Sequence, residues 1–298
     1  MSDRIELEYE ITGNGPPLLL IGGLGAQLVS WDDRFCAVLV GRGYTVIRYD
    51  NRDSGLSTSL DEHGVPDLLG LLVGVGSPPY VVDDMAQDAL GLLDRLGIER
   101  AHLIGLSLGG MIAQVLALNQ PERVTSLVAA LSGPAGRPEA LPAPQVVDAL
   151  LQPPGNDFAE RIAGAVMLRR ALAGEGAGFD VADAEARARL QIARAYNPAG
   201  TMRQAAAVLG TRNHLPDLGR LSVPAMVIHG ELDPLVPFAS AKAAAEAMPD
   251  AVFVGVSNLG HDLPAGVALG LIDRISDFHS SRYRAAEHSR HKPPNTTW

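Results

Sequence analysis

The sequence predicts an α/β fold, a mostly parallel sheet with helices on both faces and a helical segment inserted late in the chain. Three observations carry this. Short runs rich in Leu, Ile and Val alternate with helix-like segments; those runs are apolar in character on both faces; and the alternation breaks only between about 134 and 219. A strand apolar on both faces is buried between two helix layers, the setting of a parallel sheet.

Taken in order, residues 5–11 alternate apolar and polar, which suits an antiparallel strand at the sheet edge. The buried strands are expected at 18–21, 45–49, 101–104, 126–130, 225–229 and 251–256, and the helices between them at 33–42, 82–96, 108–119, 240–248 and 267–278. From 134 to 219 no strand is expected. Pro138, Pro142, Pro144, Pro153 and Pro154 punctuate the entry, and helical spacing returns at 157–172, 183–195 and 200–209. This organisation gives a discontinuous core of residues 1–133 and 220–280 and a helical cap of 134–219. A second insertion, 61–79, is rich in Gly, Pro and Leu and belongs on the same rim. Residues 281–298 lose apolar periodicity and are expected to form a loose tail.

Composition limits the function. The 298 residues are 47% hydrophobic and 19% charged, enough to bury a sizeable core. Net charge is −10, from 34 acidic and 24 basic side chains, which opposes attraction to nucleic acid and anionic lipid. Cys36 is the single cysteine, so no internal disulfide forms and no cysteine-rich zinc site is built. The opening MSDRIELEYE lacks a signal-peptide pattern, and no apolar run approaches the ~20 residues of a membrane span. A soluble cytoplasmic protein without nucleic-acid or membrane partners is the expectation.

The chemistry concentrates at Gly105-Leu106-Ser107-Leu108-Gly109, after one expected strand and before an expected helix. A sharp strand-to-helix turn lifts its central side chain above the sheet edge, at a helix N-terminus that favours developing negative charge. A serine hydroxyl needs a base. Among eight histidines, His261 is best placed, in the turn-rich loop Ser257-Asn258-Leu259-Gly260-His261-Asp262 after the last strand. His102 sits inside an apolar strand and reads as a core residue. The base in turn needs a carboxylate, and the loop Gly230-Glu231-Leu232-Asp233-Pro234 supplies Asp233, with Glu231 the nearest competitor. The turn Gly22-Gly23-Leu24-Gly25 after the first central strand offers an oxyanion hole from the amides of Leu24 and Leu108. As a dinucleotide-binding turn it fails, because Leu28 stands where the third glycine belongs.

Several of these segments together carry a resemblance: 18–25, Tyr49-Asp50-Asn51-Arg52-Asp53-Ser54-Gly55-Leu56-Ser57, Asp84-Met85-Ala86, Gly105 to Gly110 with Met111-Ile112-Ala113-Gln114, Val227-Ile228-His229-Gly230 before Asp233, and Gly260-His261. The chain resembles the α/β-hydrolase fold family over residues 5–280, and within it the capped esterases related to aclacinomycin methylesterase. That resemblance implies a sheet of the eight-stranded type, a cap inserted before the acid-bearing strand, and serine esterase chemistry through Ser107, His261 and Asp233 in that family's chain order of Ser, acid, His. It implies no metal or organic cofactor, and a small or medium apolar ester as substrate, a polyketide-like methyl ester included. Lactone, amide and peracid chemistry through the same serine, and a noncatalytic ligand-binding receptor, stay open. Met167 and Met202 are the cap residues singled out as substrate walls, with ordinary packing the plainer reading of both.

Overall fold

The computed structural model describes residues 5–136, 142–176 and 178–290, with side chains through His279. In chain order the elements are β1 (Tyr9–Thr12), β2 (Pro17–Ile21), α1 (Asp33–Gly41), β3 (Thr45–Tyr49), α2 (Leu68–Leu72), α3 (Val82–Arg95), β4 (Ala101–Leu106), α4 (Leu108–Asn119) and β5 (Val124–Ala130). There follow α5 (Pro144–Leu150), α6 (Phe158–Ala173), α7 (Val181–Arg194), α8 (Pro198–Gly210), β6 (Ala225–Gly230), α9 (Phe238–Ala247), β7 (Val252–Val256) and α10 (Ala265–Arg290).

The strands form one sheet in the order β1-β3-β2-β4-β5-β6-β7, parallel except for the antiparallel edge pair of β1 with β3. Helices α3, α4 and α9 cover one face and α1 and α10 the other, each with its own apolar cluster. Both faces are therefore dry, which is why β2, β4, β5 and β6 are rich in apolar residues on both faces. Between β5 and β6 the described residues are helical or irregular, α5 to α8 replacing the strand alternation.

Three expectations need correction. The sheet has seven strands among the described residues, not eight. The edge strand begins only at Tyr9, because residues 6 to 8 bond a loop instead: Thr58 donates to the Glu6 carbonyl at 2.9 Å, and the Glu8 amide donates to Ser57 Oγ at 2.9 Å. The last helix runs to Arg290, through much of the expected loose tail. Ser281-Arg282-Tyr283-Arg284-Ala285-Ala286-Glu287 contains no Gly or Pro to break a helix, and loss of apolar periodicity does not by itself end one. Residues 291–298, the opening tetrapeptide and Pro138 lie outside the described residues. Among those described, no helix is long and apolar enough to cross a membrane.

The helical insertion is fastened to the core by buried charge. Arg203 of α8 grips Asp53 with both arms of its guanidinium, Nε to Oδ2 at 2.9 Å and Nη2 to Oδ1 at 2.7 Å, and both side chains are fully buried. Desolvating two charges is costly, and the pair persists because the remaining groups are matched: Nη1 donates to the Gly64 carbonyl, and Asp53 also accepts from the Leu60 amide and the Tyr80 hydroxyl. Arg194 at the end of α7 reaches the buried Asp50 at 2.7 Å.

At the opposite end of the sheet from the strand carboxyl termini, the rings of His102 and His279 stack at 4.3 Å. His102 Nδ1 lies 2.7 Å from Ser126 Oγ, and His279 Nδ1 lies 3.0 Å from the Tyr44 hydroxyl. Burial, the larger cause in each, pushes His102 down to about 4 and His279 to about 3; Arg100 adds to the first and the neighbouring His102 to the second. An unfolded imidazole titrates near 6.5, so the unfolded chain binds protons that the folded one refuses. The stability from these two rings is complete above about pH 6.5 and drains as pH falls toward 4. The urea midpoint is expected to drop between pH 7 and pH 4.5, with a flatter decline in His279→Phe; an equally steep decline in that variant would exonerate the pair.

Candidate active site

The elbow follows from its glycines. A Cβ on Gly105 would overlap the Gly109 carbonyl, and one on Gly109 would overlap the carbonyls of Ile21 and Gly22. Only glycine at both positions lets β4 turn into α4 so tightly against β2. The turn forces Ser107 to φ 55° and ψ −118°, a sparsely populated region that L residues occupy at a cost of about 1–3 kcal/mol. The Ser107 amide donates to the Ala130 carbonyl at 2.8 Å, tying the elbow to the end of β5.

Three loops at the strand carboxyl ends bring three sequence-predicted side chains together. Ser107 Oγ lies 2.9 Å from His261 Nε2, and His261 Nδ1 lies 2.7 Å from Asp233 Oδ2. Asp233 is fully buried at its carboxylate and His261 is 6% exposed at its ring. The other oxygen of Asp233 accepts from the amides of Leu235 and Val236 at 2.9 and 2.8 Å. Those two bonds fix the carboxylate plane and reserve Oδ2 for the imidazole. Glu231, the competing acid, is solvent-exposed and makes no bond to His261 among the described residues.

The insertion holds the base loop. The His261 amide donates to the Leu172 carbonyl at the end of α6 at 2.8 Å, while Arg169 of α6 bonds Asp262 at 3.0 Å and Asp183 of α7 at 2.9 Å. Carboxylate partners thus brace the residue next to the imidazole without touching it.

Facing Ser107 is the turn after β2. A Cβ on Gly23 would stand 3.3 Å from the Ser107 Cβ, so this backbone passes directly alongside Ser107. The amides of Leu24 and Leu108 donate to no backbone or side-chain acceptor among the described residues. An unpaired amide beside a serine oxygen is available to a substrate oxygen.

Met167 is not brought to this cluster. Met167 is 48% exposed, in a groove of about 750 Å³ between α6 and α7 lined also by Ile162, Val166, Arg170, Phe179 and Arg189, with none of Ser107, His261 or Asp233 in its wall. Met202 is half-buried on α8. Its neighbours Arg203 and Gln204, which the sequence reading passed over, are the fully buried ones.

His229, noted in the sequence only as the end of a strand before the acid's turn, is itself a partner of the acid. It ends β6, is fully buried, and sets Nε2 2.9 Å from the Val236 carbonyl and 3.3 Å from Asp233 Oδ2. Burial holds its pKa below the ordinary imidazole range, the Asp233 charge opposing. A neutral ring with its proton on Nε2 thus backs the acid. Its place at a strand end, one residue before the turn that carries Asp233, was the available signal.

The model of the α/β hydrolase fold family matches residues 16–264. Rhodomycin D methylesterase of Streptomyces peucetius is 33% identical over 293 residues, spanning 89% of this chain and 92% of that enzyme. The rhodomycin D methylesterase of Streptomyces sp. strain C5 is likewise 33% identical over 294 residues, with the same two shares. The enol-lactonase of Burkholderia xenovorans LB400 superposes with a TM-score of 0.70 at 25% identity, covering 93% of this chain and 97% of that one. From its sheet order, its strained elbow and this family match across most of its length, the chain belongs to the α/β-hydrolase fold family and is a hydrolytic enzyme.

Proposed function

We propose that the chain hydrolyses a small or medium apolar carboxylic ester through an acyl-enzyme on Ser107. The observation that carries this reading is the continuous relay from Ser107 Oγ to His261 Nε2 at 2.9 Å and from His261 Nδ1 to Asp233 Oδ2 at 2.7 Å. Ser107 Oγ attacks the ester carbonyl as His261 Nε2 takes its proton, and Asp233 stabilises the imidazolium. The carbonyl oxygen, now an oxyanion, accepts from the amides of Leu24 and Leu108. Collapse breaks the carbon–oxygen bond, and the alcohol leaves with the proton from His261. Water then attacks the acyl-enzyme by the same route and frees the acid.

The methylesterase relatives support a methyl ester as the scissile group, and the enol-lactonase neighbour supports a lactone as the second reading. Residues 134–219 act as a cap over the strand ends in this account. Their contacts with the His261 loop and with the Gly25 turn support that role.

Two measurements test the proposal together. A fluorophosphonate probe should label the folded wild-type protein at Ser107, read by peptide mass spectrometry; folded protein that stays unlabelled would remove the serine mechanism. A panel of acetyl to octanoyl aryl esters, bulky polycyclic methyl esters and small lactones should show turnover highest among the esters. Lactones turned over faster than every ester would favour the second reading.

A further inference from the structure

The turn that faces Ser107 is held at its ends by the loop after β3, Asn51 Nδ2 donating to the Gly22 carbonyl and Ser54 Oγ to the Ala26 carbonyl, while its middle is held by the helical insertion. The Ala26 amide closes it on the Gly23 carbonyl at 3.1 Å, with Leu24 and Gly25 central and Gly25 at φ 65°, the pattern of a type II turn. In such a turn the closing bond uses the outer groups and leaves the central peptide, Leu24 carbonyl to Gly25 amide, without a partner inside the turn, so the place of the turn depends on what holds that peptide. Here the Gly25 amide donates to Gln204 Oε1 at 2.8 Å. Gln204 lies on α8 of the insertion, 179 residues away in the chain, and is fully buried. Its Nε2 donates to the Arg52 carbonyl at 2.7 Å, so both ends of the amide are committed and its orientation is fixed.

The surroundings leave α8 little freedom to release it. Thr201, one helical turn before Gln204, packs on Gly25 so closely that a Cβ there would stand 2.8 Å from Thr201 Oγ1. Arg203, next to Gln204, is the residue locked to Asp53. Gly23 touches Ser107 on one side of Leu24 and Gly25 touches α8 on the other, so Leu24 is suspended between nucleophile and insertion.

We propose that Gln204 is a positioning residue for ester hydrolysis: by holding the Gly25 amide it anchors the central peptide of the turn to the insertion, and so sets the place of the adjoining Leu24 amide beside the developing oxyanion. The inference rests on the serine-esterase reading above. It assigns to a side chain of the helical insertion a share in transition-state stabilisation, distinct from any contact that insertion makes with substrate.

The test uses the full chain and two variants. Gln204→Leu keeps the bulk and removes both polar ends. Gln204→Glu, protonated, reproduces both bonds and, ionised, sets a carboxylate against the Arg52 carbonyl. Kinetics on an aryl ester are measured beside inhibition by an aryl trifluoromethyl ketone, whose adduct with serine carries an oxyanion. In Gln204→Leu, kcat is expected to fall about 10- to 100-fold, short of the roughly 10²- to 10³-fold loss of a deleted donor, because the amide is misaimed and not absent. KM should stay within about threefold and the ketone should weaken by the same factor as kcat, since only the tetrahedral species uses the amide. Tyr44→Phe, at the far end of the sheet, removes one buried hydrogen bond and controls for lost stability: it should keep both values.

If Gln204→Leu keeps kcat and ketone affinity within threefold of wild type, the inference is overturned. Should that variant not fold, Gln204→Glu decides: where its carboxylate is ionised, kcat and ketone affinity should fall together below those of wild type, and wild-type values of both from pH 5 to 9 count against the proposal. Wild type that labels at Ser107 while either result fails removes only the role of Gln204; wild type that does not label removes the esterase reading and this inference with it.

Discussion

Replacing Ser107 with alanine is expected to lower kcat on an activated aryl ester by about 10⁴- to 10⁶-fold, because the members of a nucleophile–base–acid relay act as a unit and losing the nucleophile forfeits nearly all of it. Stability should barely move. The Ser107 side chain has one hydrogen-bond partner among the described residues, His261, and the backbone strain at φ 55° is paid equally by alanine. Melting temperature within a degree or two of wild type, together with loss of fluorophosphonate labelling, would separate chemistry from folding. Retention of more than about 1% of the wild-type kcat would mean that another group is the nucleophile, since the non-nucleophilic remainder of such a site is far weaker than that.

The parts of the site legible in the sequence are those whose chemistry is local. Gly105 and Gly109 bracket Ser107 because the elbow needs close backbone approach, and this leaves a pattern five residues long. Asp233 and His261 were found by their position just after strands, which the apolar runs of β6 and β7 mark plainly. Gln204 and Arg203 gave no such mark. Polar residues on an Ala-rich helix look like a solvated face, and their burial arises only because Asp53 and the Gly25 turn, some 150 to 180 residues earlier, come to meet them. His229 lay between these extremes, placed at a strand end but with its role set by a carboxylate four residues on. The short helices α2 and α5, with five and seven residues, fell below the length at which periodicity is readable.

Asp233→Asn is expected to lower kcat by roughly 10⁴-fold while leaving the fold intact, and the geometry says why an isosteric change should be so severe. Oδ1 of Asp233 accepts from two backbone amides, Leu235 and Val236. In the variant, only the carboxamide oxygen can occupy that place, so the NH₂ group must take the place of Oδ2, facing His261 Nδ1. It then donates where the carboxylate accepted. Nδ1 must carry the lone pair, the imidazole proton moves to Nε2, and the ring presents a hydrogen to Ser107 Oγ instead of a base. His229 aggravates the fault, because its Nε2, 3.3 Å from the same oxygen in the native protein, then meets a second donor. Asp233→Ala lacks the misdirecting NH₂ and leaves the tautomer free, so it should lose no more activity than Asp233→Asn despite removing more atoms. Measuring kcat for both variants beside Ser107→Ala checks the account; Asp233→Asn retaining a tenth of the wild-type rate would show that this carboxylate does not set the tautomer of His261.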